Sequence, residues 1–391
     1  MNPGTIPASS LRRQRSPSLT RFHDLDALRG FAMLLGIVLH AAAFLLPLDF
    51  WPVQDDWVHS TPLDRNGYAF AASIIHGFRM PLFFLISGFF SALLWQARGL
   101  RRLVRHRLER VGLPLVAGLF TLVPVLAWLS AGNGFALADW PLAWVDGVFH
   151  LWFLWHLLLL VAAFVAAARL GLEFRHPLWW LLVPLSVVPH HFMQEIVFGA
   201  DTDVDLLPAT RVLLYYAAFF GFGVFLHQRR IAVRRWWIAA LLPALLVTFP
   251  AGMTLLYAAL QDALAAPGAQ PGGWSWGVAS ALQVAYAWLA CFGLLGLFRW
   301  VASRERVWVR YLSDASYWLY LCHLPLVIAG QMLTVSWPVS VHLKFLLIVT
   351  AVVALLLGVY QLGVRYTRIG TALNGPRTRP VRVHAVGGAT G

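Results

Sequence analysis

Residues 27–47 read ALRGFAMLLGIVLHAAAFLLP, an apolar run interrupted by Arg29 near its start and His40 near its end. Wound as a helix at about 1.5 Å per residue, such a run crosses a hydrocarbon core of roughly 30 Å. Runs of this kind recur as far as Gln361. They predict an all-α, polytopic transmembrane bundle of about ten spans. The spans fall near 27–47, 69–95, 112–131, 150–170, 178–192, 208–227, 236–259, 275–299, 309–331 and 342–363. Pro184 and Pro189 interrupt the fifth, which makes it the least regular. A transmembrane domain over 22–368 is expected, flanked by disordered tails at 1–21 and 369–391, with no separate soluble domain.

Composition points the same way. The chain is 59% hydrophobic and 12% charged, where a soluble domain carries about 25% charged residues. Its 19 Trp residues suit membrane–water interfaces, where an apolar ring with a polar N–H is favoured. The basic residues before the first span and Ala41-Ala42-Ala43 loosely resemble a signal peptide, but Asp26 and Arg29 interrupt the apolar start. No internal repeat is evident.

The net charge of +13 invites a nucleic-acid partner. Its distribution argues instead for topology. With the N-terminus in the cytosol, all but four of the 30 Arg and Lys fall on the inner side, the exceptions being Arg65, Arg79, Arg211 and Lys344. The outer loops are acidic, with Asp49, Asp55, Asp56, Asp64, Asp139, Asp146, Glu195, Asp201, Asp203, Asp205 and Asp262. This asymmetry requires an even number of crossings with both termini cytoplasmic. The expected location is a bacterial inner or plasma membrane. Membrane lipid is the first partner, and an anionic cytosolic substrate also suits the basic face.

The alternating Asp201, Asp203 and Asp205 lack the glycine and distal glutamate of an EF-hand loop, so a solvated acidic loop is expected there. No metal site is expected. Cys291 and Cys322 lie in apolar runs and read as structural thiols. Phosphate-binding loops and nucleophile-elbow motifs are absent.

Ionisable groups within apolar runs are costly and mark candidate sites. Asp26, Arg29 and His40 share one face of the first span, with Arg29 and His40 about 16 Å apart along the axis. A neutral imidazole there can serve as a general base, or simply hydrogen-bond between helices. His76 and Arg79 sit one turn apart in the second span, before Ser87-Gly88, a pair suited to close helix packing. Arg107 and Arg110 stand three apart in a basic loop, either as a topology anchor or as a phosphate clamp. His150 and His156 open the fourth span beside Trp152. Ser316, Tyr320 and His323 share a face of the ninth, where Tyr320 is placed to donate to His323.

Together these stretches resemble the integral membrane acyltransferases. That family includes O-acetylases of surface polysaccharides and the glucans biosynthesis protein C type. Leu25-Asp26-Ala27-Leu28-Arg29-Gly30 with His40 is similar to its opening helix. Met80-Pro81-Leu82-Phe83-Phe84-Leu85-Ile86-Ser87-Gly88-Phe89 is similar to its second-helix signature. His150-Leu151-Trp152-Phe153-Leu154 and Ser316-Tyr317-Trp318-Leu319-Tyr320-Leu321-Cys322-His323 resemble later ones. The histidine-bearing starts of the second and fourth helices look closest to the glucan-modifying branch.

The resemblance implies transfer of an acetyl or succinyl group from cytosolic acyl-CoA, a co-substrate rather than a bound cofactor, to a hydroxyl of an extracytoplasmic glycan. It implies that His40 activates that hydroxyl or carries the acyl group. It further implies that Arg29 assists on the donor side or orients the helix, and that Arg107 and Arg110 meet the CoA phosphates. Asp26, His76, Arg79, His150, Tyr320 and His323 then become supporting or substrate-binding residues. Acceptor recognition is expected from outer loops and helix mouths. The competing reading is a secondary transporter or flippase of a glycan or anionic solute, with the buried histidines and arginines as its relay. The sequence does not specify an oligomeric state.

Overall fold

The computed structural model describes residues 22–131, 137–145, 147–193, 197–265 and 273–375. The expected tail at 1–21 and residues 376–391 lie outside the described residues, as do Asp146, Glu195 and the side chains of Asp139 and Asp262. Among the described residues every regular element is helical and there is no strand. Seven helical segments are long and apolar enough to cross a membrane.

The principal helices are α1 (His23–Ala42), α2 (Gly67–Arg107), α3 (Leu113–Ala131), α4 (Trp152–Arg169) and α5 (Thr210–Gln228). They are followed by α6 (Phe249–Ala265), α7 (Gly273–Val301), α8 (Val307–Thr334), α9 (Val341–Val359) and the short α10 (Arg368–Asn374). Asn66 starts α2 by accepting the N–H groups of Tyr68 and Ala69, and its amide donates to the Leu45 carbonyl, so the same side chain ties α2 to the end of α1.

The run from Gly67 to Ala131 is 65 residues long, about three bilayer cores if straight. It is not straight. Gly99 has φ +79°, a left-handed conformation that only glycine adopts freely, and a wide turn follows at Leu108–Gly112. The chain folds back there, because Arg107 Nη2 donates to the Ser87 carbonyl (3.3 Å) and Ser91 Oγ (2.9 Å). In a continuous helix those groups would lie about 24 Å or more from Arg107.

Helix α8 is long enough to span but does not number among the seven. Its buried polar residues Ser313, Asp314, Ser316, His323 and Gln331 lower its hydropathy. Their burial means that they face protein, and α8 packs most extensively on α1. The 178–192 run is broken into short pieces, Pro177–Leu181, Leu182–Leu185 and Val187–His191. Pro184 and Pro189 lack the N–H groups a continuous helix needs.

The expected close approach at Gly88 is present. A side chain there would collide with the Phe220 carbonyl of α5, and one at Gly223 would collide with the Leu85 carbonyl of α2. Without a hydrophobic drive between helices in lipid, such contacts between small residues hold them together. Helix α9 turns Leu343, Leu346, Leu347 and Leu355 outward, as a lipid-facing surface requires.

One end of the bundle gathers residues distant in sequence. Asp24 pairs with Arg299 at 3.2 Å, Arg29 Nη2 lies 3.4 Å from Ser313 Oγ, and Asn374 donates to the Asp314 carbonyl at 2.7 Å. The start of α1 and the helix α10 therefore lie at the same end. The stretch read as a tail from 369 thus begins with a docked helix, with Gly370 and Leu373 buried and the Leu373 carbonyl accepting from Arg110.

The acidic loop does not match its expectation. Asp201 and Asp203 are buried, although Asp205 is exposed. Asp203 Oδ2 accepts the Ala209 N–H at 2.6 Å and lies 3.3 Å from His156 Nε2, and Asp201 is 3.7 Å from Arg211. The loop folds inward because each of these carboxylates finds a cationic or N–H partner there.

Candidate active site

His40 sits in the last turn of α1 and is partly exposed. Its Nδ1 is 2.8 Å from Nε2 of His323, and the two rings stack at 5.0 Å between centroids. His323 Nδ1 faces the carbonyls of Tyr320 (2.8 Å) and Leu319 (3.1 Å) on its own helix. A carbonyl only accepts, so the proton of a neutral His323 lies on Nδ1 and its Nε2 carries the lone pair. His40 Nδ1 must then donate, which leaves the lone pair of a neutral His40 on Nε2. This arrangement presets the tautomer a base needs.

Two residues not singled out in the sequence complete the setting of His40. Trp51 stacks on its ring at 5.9 Å, with 14° between planes. Gln331 is fully buried and accepts from Trp51 Nε1 at 2.9 Å while donating to the His40 carbonyl at 2.8 Å. It thereby fixes both the backbone of His40 and the indole covering it. A neutral amide in an otherwise apolar stretch was the only sequence signal for Gln331. Trp51 had none beyond its proximity to the first span.

His150 is positioned by an unusual backbone. Phe149 before it has φ +48°, the left-handed region that an aromatic residue rarely occupies. His150 Nε2 donates to the Leu321 carbonyl at 2.9 Å. That carbonyl is free because Pro325, four residues on, has no N–H to bond it. His150 Nδ1 is left as a buried acceptor without a partner among the described residues. Tyr320 differs from its expected role: its hydroxyl donates to the His150 carbonyl at 2.6 Å, and it is the backbone of Tyr320, not its hydroxyl, that meets His323. The phenol reaches across to the start of α4.

His76 and Arg79 enter from α2. His76 Nε2 donates to the Ala200 carbonyl at 3.0 Å. Arg79 lies within electrostatic reach of His40, His76, His150 and His323, and of Tyr216 and Tyr320. Its Nη1 rests against Gly36, one turn before His40, where an added methyl would collide with it. His156 is separate from this group, turned to Asp203 and the Trp152 carbonyl.

The arginines form a second cluster at the other end of α1. Arg29 is 3.6 Å from Asp26. Arg107 and Arg110 lie within electrostatic reach of Arg29 and of Tyr317, whose hydroxyl donates to the Arg110 carbonyl at 2.7 Å. They do not form a free i,i+3 clamp. Arg107 turns into the α2 hairpin and Arg110 toward α10. Buried Nε atoms of Arg29 and Arg107 have no hydrogen-bond partner among the described residues. Three guanidinium groups within electrostatic reach of one another suit a phosphate. Among the described residues no cluster of His, Cys, Asp or Glu could hold a metal.

Comparison with known proteins follows the same line. The family described as an acyltransferase domain matches residues 22–360. Glucans biosynthesis protein C of Escherichia coli (strain K12) is 32% identical over 145 residues, covering 34% of this chain and 35% of the relative. The same protein from Escherichia coli O1:K1 / APEC and O9:H4 (strain HS) gives the same identity and coverage. The chain thus spans about a third of the length of the curated relatives it matches. No solved structure matches it.

Proposed function

This chain belongs to the acyltransferase-domain family, and from that premise we propose that it transfers an acyl group, acetyl or succinyl, from a cytosolic acyl-CoA to a hydroxyl of an extracytoplasmic glycan. The observation that carries the reading is the arrangement along α1. A histidine with its base nitrogen preset stands near one end, and an arginine cluster suited to CoA phosphates stands near the other, about 16 Å away. A glucan is the favoured acceptor class, on the strength of the relatives' name.

In this mechanism the arginines hold the donor's phosphates and the acyl thioester reaches His40 along α1. His40 Nε2 removes the proton of the acceptor hydroxyl as its oxygen attacks the thioester carbonyl. A C–O bond forms, the C–S bond breaks, and the departing thiolate takes the proton from the His40 imidazolium. His323 keeps His40 in the tautomer that begins the cycle, and Gln331 and Trp51 hold the ring in place.

The topology we infer has about ten crossings in a bacterial inner or plasma membrane, with both termini cytoplasmic. The folded-back run from Gly67 counts as two crossings, and α8 and the broken 177–191 segment complete the set. The common end shared by α1 and α10 supports an even number.

Purified protein in nanodiscs, given radiolabelled acetyl-CoA or succinyl-CoA and a glucan, tests the reading. Label is expected on the glycan, and His40→Ala should abolish transfer without lowering the melting temperature. Full activity in that variant removes His40 from the mechanism. Glycan movement across proteoliposomes with no acyl donor would favour a transporter instead.

A further inference from the structure

Of the four cations outside the basic end, three are accounted for. Arg65 is exposed to solvent. Arg211 lies 3.7 Å from Asp201. Lys344 is buried, 2.7 Å from Asp55 and 2.6 Å from the Val335 carbonyl. Arg79 is the exception. Among the described residues no carboxylate pairs with it and no group accepts a hydrogen bond from it, and its Nε is buried without a partner. Its surroundings are imidazoles and phenols.

A guanidinium held inside a bundle without a counter-charge is costly and is retained where a negative charge visits it. The fold also makes room for it deliberately. Gly36 sits on α1 one turn before His40, and the only atoms a methyl at Gly36 would meet are those of Arg79. The absence of a side chain there is what brings the guanidinium of α2 against the helix that carries His40.

We propose that Arg79, docked on Gly36, is a catalytic residue that stabilises the oxyanion formed when the acceptor oxygen adds to the acyl carbonyl beside His40. The proposal rests on the acyl-transfer reading above. On addition, the carbonyl π electrons move onto oxygen while the hydroxyl proton passes to His40 Nε2. Collapse returns those electrons to the carbonyl and expels the thiolate. The fixed guanidinium favours the charged intermediate over the neutral ground state, which is the differential interaction that accelerates the step. His150 Nδ1 is a buried acceptor in the same group and can bear no part of the negative charge.

The test uses full-length protein in nanodiscs. Arg79→Gln is expected to lower kcat by about 10²–10³-fold with donor KM within about threefold, and Arg79→Lys to retain part of the loss. With saturating CoA present to fill the arginine cluster at the other end of α1, methylphosphonate, a tetrahedral oxyanion, is expected to raise the melting temperature of wild type and of His40→Ala, but not of Arg79→Gln. Gly36→Ala should reproduce the Arg79→Gln phenotype. In an Arg79→Ala background the same glycine change should be silent in both activity and melting temperature, because nothing else occupies the space.

Wild-type kcat in Arg79→Gln overturns the proposal, as does methylphosphonate stabilisation that survives that substitution. A Gly36→Ala effect that persists without Arg79 overturns the docking argument. If wild type transfers no acyl group, the acyl-transfer reading fails and the oxyanion role falls with it; loss of methylphosphonate binding in Arg79→Gln would then show that only the anion site stands.

Discussion

His40 Nδ1 and His323 Nε2 face each other at 2.8 Å, and the partner nitrogen of His323 is already committed to two carbonyls of its own helix. One proton arrangement satisfies all of these contacts when both rings are neutral. The pair has a fixed direction: hydrogen bonds point from His40 to His323 to the α8 backbone, and the free lone pair of His40 is left on Nε2.

His323→Ala should lower kcat by about 10²-fold or more through loss of this tautomer control, with little change in donor KM. His323→Gln should recover part of the rate, because its amide oxygen can accept from His40 Nδ1. Steady-state transfer kinetics with thermal melting measure this. Equal rates for Ala and Gln, tracking only a fall in melting temperature, would assign His323 a purely packing role.

Pro325→Ala restores an N–H that competes with His150 for the Leu321 carbonyl. A proline inside a helix costs about 3 kcal/mol relative to alanine. The melting temperature is therefore expected to hold or rise while kcat falls roughly tenfold. A variant that is both more stable and fully active would show that the bond to His150 is dispensable.

Asp55 and Lys344 form a buried pair at 2.7 Å, with side chains 7% and 6% exposed. Removing either partner alone strands a charge and should cost about 3–5 kcal/mol. Asp55→Leu with Lys344→Met should regain most of that. Denaturant titration in mixed micelles compares the three. A double variant no better than the singles would mean that the outer loop depends on something other than this pair.

Much of the fold could be read from the sequence because a helix that spans lipid needs a run of about 20 predominantly apolar residues. The rule located α1, α4, α5, α7 and α9 directly, and Pro184 with Pro189 marked the stretch that breaks up. It also exposed His40, His76, Arg79, His150 and His323 as ionisable residues in apolar surroundings. Their convergence is a tertiary fact, and no spacing encodes it. Tyr320 illustrates the limit. Helical periodicity placed it near His323, yet its hydroxyl spans to the start of α4, where it donates to the His150 carbonyl.

Asp203 failed for a different reason. A carboxylate in a loop looks the same in sequence whether water or His156 faces it. Gly36 was silent too. Its role is the space it leaves for a residue on another helix, and a lone glycine in an apolar run announces no such partner.

The contact of Gly88 with Phe220 and of Gly223 with Leu85 has a mechanical consequence. Backbone meets backbone at both points, so α2 and α5 cannot slide past one another without driving a carbonyl through its neighbour. These two helices form the stator of the bundle, and Arg79 is mounted on it. Relative motion within the bundle is therefore left to other walls, such as the one where α8 carries Pro325 and His323.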